Sequence, residues 1–276
     1  MIGLSREENI SKIVEGLAKR GIGATVTQRA KYVKQPYGGY IKRTDFEETA
    51  LGAGEEELVD GSNIDPSLVG IAVDYLTRYI LTDDAFESFK TSILGAAKVK
   101  ETDAAALLLS LLHGLDDKSI ESAVKLAGFD SAYRAGLIAY VPVKEINPNE
   151  AAIKNIRLLV TRSVKFFQDH GPLTSCGFDF KGAYTKTIAS GDADYLTKDT
   201  LWDLKVLKNN FNKNHTLQLM IYWRMGLRSD PAAFKDIKYL GIYNPRKNKA
   251  YRFALDNLSD ETIKEVDRDV IGYDVD

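Results

Sequence analysis

Asp192, Asp194, Asp203 and Lys205 crowd one short stretch, GDADYLTKDTLWDLKV at residues 191–206. Apolar and polar residues alternate on both sides of Lys198-Asp199, the pattern of a β-hairpin. A two-residue loop there sets Thr197 opposite Thr200. Asp194 then faces Asp203, and Asp192 faces Lys205. A four-residue loop on the same centre gives the same pairing, whereas an odd loop shifts it. The four charged residues share one face because strand side chains alternate, leaving Ala193, Tyr195, Leu204 and Val206 on the other. Directly opposed like charges repel. A divalent cation relieves that repulsion: aspartates are the hard oxygen ligands that Mg²⁺ or Mn²⁺ accepts while keeping waters for a substrate. Lys205 adds a positive charge that can face a developing oxyanion or orient a water. The plainer alternative is a solvated hairpin face in which Asp192 and Lys205 form an ordinary ion pair worth little.

Residues 205–229 contain no acid but hold Lys205, Lys208, Lys213, Arg224 and Arg228. In a chain of net charge -2 this is a local basic patch beside the acids, as a phosphodiester substrate requires. A solvated basic helix face is the alternative. Gln218 and Tyr222 lie four apart on a helical segment, one turn after His215, and share a face. Buried, both need polar partners, which the hairpin's acids would supply. Otherwise Tyr222 is simply core.

Together, Gly191-x-x-Asp194, Asp203-x-Lys205 and Gln218-x-x-x-Tyr222 resemble the RecB-type, lambda-exonuclease-like branch of the PD-(D/E)xK nuclease superfamily, over residues 149–245. The resemblance implies an α/β fold with a restriction-endonuclease-like core, a mixed β-sheet flanked by helices, carrying an inserted helical lobe. It implies Mg²⁺- or Mn²⁺-dependent hydrolysis of single- or double-stranded DNA, in repair, recombination, phage defence or mobile-element maintenance. Asp194, Asp203 and the backbone carbonyl of Leu204 are the implied metal ligands. Lys205 would orient or activate the attacking water, and Gln218 and Tyr222 would support the site. Lys208, Lys213, Arg224 and Arg228 are the candidates for substrate phosphate. The family's early helix places a metal-site His or Glu four residues after a Gly; here Gly70-x-x-x-Asp74 offers Asp74 instead, with Glu150 in reserve. Residues 24–40 are similar to the family's amino-terminal motif, and no site residue is assigned there. A catalytically inactive module of the same fold, binding nucleic acid or protein, is the second reading. A partner protein that docks through its helical lobe is the third.

These residues need elements to position them. The 276 residues suffice for one large domain, or a core with a substantial insertion. Helical spacing runs over 6–19. Residues 35–63 read as ordered but irregular, and Asp65-Pro66 opens a helix. Short helices follow over 83–140, stopped at Gly95, Gly114, Gly128 and Gly136. Asn149 opens a long helix, and the period then changes from 3.6 to 2. The carboxy-terminal half reads α-β-β-β-α-β-β-α, with strands at 177–190, 191–197 and 200–206, a helix from His215, and two strands meeting at a Pro245–Asn248 turn. The expected organisation is 1–82 with the first core helix, 83–145 as the inserted lobe and 146–276 as the nuclease-like core, forming one compact unit.

Other chemistries lack their residues. The single cysteine, Cys176, excludes a disulfide framework and a Cys-rich zinc site. His113, His170 and His215 are far apart without a metal-binding spacing. No GxxxxGK[ST] or G-x-S-x-G occurs, and GIGATV lacks the third glycine of a dinucleotide loop. The charged start lacks the apolar run of a signal peptide. The apolar stretch 104–115 is too short for a bilayer and reads as a buried helix. The expectation is a cytoplasmic protein without membrane contact, with oligomerisation left open.

Overall fold

The computed structural model describes residues 23–52, 56–134 and 136–274. The helix expected over 6–19 lies outside the described residues. The chain enters through β1 (Ala24–Thr25) and α1 (Val26–Tyr32), where Thr25 and Gln28 close a reciprocal capping box. Within the irregular stretch, β2 (Glu47–Ala50) is a strand that the sequence reading missed. All its residues are exposed, so it has no apolar alternation; pairing with β8 makes it a strand. Asp65 caps α2 (Pro66–Thr82) by accepting from the Ser67 N–H at 2.8 Å.

The helical lobe follows: a single turn at Ala85–Ser88, α3 (Lys90–Val99), α4 (Thr102–Ser110), α5 (Asp117–Gly128) and α6 (Asp130–Arg134). Two expectations are corrected here. Gly95 does not stop a helix; it lies inside α3, where a Cβ would collide with the Phe129 carbonyl. Its smallness permits a close crossing. Nor is α4 a buried helix: Ala105 is buried, but Leu107 is 63 % exposed.

Asn149 caps α7 (Glu150–Asp169), as its position suggested. Then come β3 (Leu173–Asp179), β4 (Ile188–Ser190), β5 (Asp192–Thr197), β6 (Thr200–Leu204), α8 (Lys213–Ser229), a turn at Pro231–Phe234, β7 (Tyr239–Asn244), β8 (Lys249–Ala254) and α9 (Asp260–Glu265), which continues as a wider helical turn to Ile271. The strand expected over 177–190 is broken. β3 begins earlier and ends where the Asp179 carboxylate accepts the Lys181 N–H, a local turn that competes with the ladder. β4 leaves the main sheet and pairs in parallel with β1.

The main sheet is mixed and six-stranded, in the order β2-β8-β7-β6-β5-β3. Only β6 and β7 run parallel. The connection between them contains α8, as a parallel crossover needs. One face, with Leu196, Leu201, Leu240 and Ile242, packs on α1, α8 and the carboxy-terminal helix. The other, with Tyr195, Trp202 and Tyr243, packs on α2 and α7. Lobe residues Phe89, Ile120, Leu126 and Phe129 belong to that same second core. Among the described residues no helix is long and apolar enough to cross a membrane.

Candidate metal centre

The hairpin has the inferred register: Tyr195 pairs with Trp202 and Leu196 with Leu201, which sets Asp194 opposite Asp203. Beyond this point the β5–β6 ladder opens. The Lys205 N–H points to β7, donating to the Tyr243 carbonyl at 2.9 Å. The neighbouring Leu204 N–H therefore points to β5, and there it donates to Asp194 Oδ2 at 2.8 Å. A side-chain carboxylate has taken the place of a strand carbonyl, which fixes Asp194 in the gap.

Asp203 is 1 % exposed. Its Oδ1 accepts from Lys205 Nζ at 2.8 Å, while its Oδ2 is buried with no hydrogen-bond partner. Burial pushes the Asp203 acid up, to about 8; Lys205 opposes the rise, and Asp194 adds to it through its charge and through a carboxyl–carboxylate hydrogen bond that forms when Asp203 is protonated. Burial pulls the Lys205 ammonium down, but Asp203 and Asp194 outweigh it, so the net displacement is upward. Lys205 is thus a charged donor here.

Asp74 reaches the same place from α2. Its carboxylate accepts from the Tyr195 hydroxyl at 2.8 Å and from Arg78 Nε and Nη2 at 3.1 and 2.6 Å. Burial raises the Asp74 acid against the pull of Arg78, and Asp194 raises it further. Arg78 Nη2 also donates to Asp194 Oδ1 at 3.2 Å. One buried guanidinium therefore bridges two candidate ligands. Space for it comes from Gly177 on β3, where a Cβ would collide with the guanidinium. The fit to a divalent cation rests on the donors: aspartate oxygens from two strands converge, and one of them is buried without a donor. Among the described residues no three His, Cys, Asp or Glu side chains are grouped as a ready-made cage. Arg78 lies between Asp74 and Asp194 instead.

The structure separates other candidates. Asp192 does not pair with Lys205; Arg134 of α6 takes its two oxygens at 2.9 and 3.0 Å. Lys205 bonds instead to Asp203, its neighbour two residues back on the same strand face. Arg134 outweighs the effect of burial and holds the Asp192 acid below its ordinary value. Gln218 and Tyr222 are buried on α8, but they satisfy each other, with Nε2 donating to the tyrosine oxygen at 2.6 Å. Their polar partners are not the hairpin's acids, as the sequence suggested. Burial, with the charges of Asp192, Asp203 and Asp194 adding to it, pushes the Tyr222 phenol well above its usual range.

The basic patch divides. Lys208 and Lys213 are exposed near the start of α8. Arg224 is bound to Asp267 at 2.7 and 2.9 Å, and Arg228 lies 3.8 Å above the Tyr273 ring. At the helical rise per residue, Lys213 and Arg228 are about 20 Å apart along α8, so the patch is not continuous. Glu150 is exposed in a cleft with Glu56, Asp117 and Lys154, so it does not join Asp194 and Asp203.

Sequence reasoning missed Arg78, Tyr195 and Arg134. The Asp74–Arg78 pair had a signal, since residues four apart share a helix face. Arg134 had none, because its partner Asp192 is 58 residues away. No protein-family model, no curated protein and no solved structure matches this chain.

Proposed function

We propose that this chain is a Mg²⁺- or Mn²⁺-dependent deoxyribonuclease with a restriction-endonuclease-like core. The observation that carries the reading is the buried, unpartnered Oδ2 of Asp203, placed opposite Asp194 where the ladder opens. A buried carboxylate oxygen without a donor is costly unless a cation or proton meets it. Asp194 and Asp203 would hold the metal, with the Leu204 carbonyl as a further oxygen. Bound there, the metal supplies Lewis-acid polarisation of a phosphodiester and an acidified water.

The chain's own groups have definite tasks. The Leu204 N–H and Lys205 hold the two carboxylates in place. The Lys205 ammonium serves as donor and positive charge, orienting water and facing negative charge as it builds on the phosphate. Tyr195 fixes Asp74. Lys208 and Lys213 offer the exposed cations for neighbouring phosphates.

One observation favours a second reading, an inactive nucleic-acid-binding module: Arg78 already pairs with both Asp74 and Asp194 without a metal. Incubation of the protein with linear double-stranded, single-stranded and circular DNA, in Mg²⁺, Mn²⁺ or EDTA, separates the two. The nuclease cuts only with metal, and cutting of the circle marks an endonuclease. Chelator-insensitive DNA binding with no cleavage on any substrate would support the module instead.

A further inference from the structure

We propose that Arg78 is a resident counter-cation of the metal centre, which competes with a divalent ion for Asp194. The inference rests on the nuclease reading above. Arg78 is almost wholly enclosed, with 6 % of its side chain exposed. Its guanidinium is anchored by two bonds to Asp74 and extends a single bond, the longest of the three at 3.2 Å, to Asp194. The rings of Tyr75 and Tyr195 flank it, 5.4 and 5.8 Å from the guanidinium carbon. The Arg78 anchorage on α2 therefore survives loss of the Asp194 contact.

Each Asp194 oxygen already accepts one hydrogen bond, Oδ2 from the Leu204 N–H and Oδ1 from Arg78, so an incoming ion shares this carboxylate with the guanidinium. A guanidinium and a divalent cation on one carboxylate repel at short range, and the enclosed setting screens them poorly. With all five groups ionised, Asp74, Asp194 and Asp203 carry three negative charges against two positive ones from Arg78 and Lys205, leaving one. Without Arg78 the excess is two. Arg78 thus keeps the acids together when metal is scarce and weakens the centre's hold on metal. Removing it takes away a competitor while the Leu204 N–H still positions Asp194.

The test compares wild type, Arg78→Met and Arg78→Lys as full chains. Mn²⁺ affinity is measured by titrating the electron paramagnetic resonance signal of free Mn²⁺, and unfolding midpoints are measured in EDTA and in Mn²⁺. Arg78→Met should bind Mn²⁺ about tenfold more tightly, because a like charge is gone from a poorly screened site. Its midpoint should fall below wild type in EDTA and regain most of the loss in Mn²⁺. Arg78→Lys keeps the charge on a shorter arm without the guanidinium fork, so its affinity should fall between the other two. It also carries the test if Arg78→Met does not fold. Mn²⁺ bound equally by wild type and the variants would overturn the competition while leaving the metal reading intact. No Mn²⁺ binding by any of the three would overturn both.

Discussion

Asp203 gives one oxygen to Lys205 and leaves the other buried without a donor. Such a group is poor for stability and suited to holding a cation. The same neighbourhood shapes His215, whose ring lies at the start of α8. Its Nδ1 accepts from the Asn212 N–H at 3.0 Å, which only a neutral ring can do. Burial and Lys205 push His215 down to about 4 from 6.5. A lowered histidine stabilises the fold above its unfolded value, and that contribution is lost as pH falls from 6.5 through 4. His215→Gln keeps an acceptor for the cap and does not titrate. Between pH 7 and 4 it should therefore lose about 1–2 kcal/mol less stability than wild type, allowing for screening of a partly exposed ring. Urea unfolding at the two pH values measures the difference, and equal losses would show that His215 is not strained by its setting.

At the scale of elements, the hairpin was legible because turn and alternation together fix a register. Lys198-Asp199 sufficed to set Asp194 opposite Asp203. The long helix opened by Asn149 and the β7–β8 turn were legible for similar local reasons. The strand β2 was not, since its pairing with β8 is non-local and its side chains are exposed. The junction between lobe and hairpin was equally hidden. Asp130, 1 % exposed at the start of α6, accepts from Ser92, Tyr75 and Arg134, and Arg134 continues to Asp192. This chain of bonds ties α2, α3 and α6 to the hairpin. Asp130→Ala leaves three donors without their acceptor and should cost about 3 kcal/mol, as loss of one partner from a buried ionic network does. Denaturant unfolding at neutral pH gives the value, and a cost below about 1 kcal/mol would show that the network does not tie the lobe down.

For the whole molecule, the mixed sheet stands between two cores, and the acids occupy the place where β5 and β6 separate. Side chains approach that place from both faces of the sheet. α2 brings Asp74 and Arg78 from one face, and α8 brings Gln218 and Tyr222 to the other. The lobe shares the α2 core, so it is built onto the site rather than strung beside it. The most direct measurement compares wild type, Asp203→Asn and Lys205→Ala for cleavage of DNA in Mn²⁺, with circular dichroism to verify the fold. Cleavage by wild type, with a loss of about 100-fold or more in both folded variants, is the predicted result for groups that act on the reacting phosphate. Full activity in folded Lys205→Ala, or no cleavage by wild type in any metal, would contradict it.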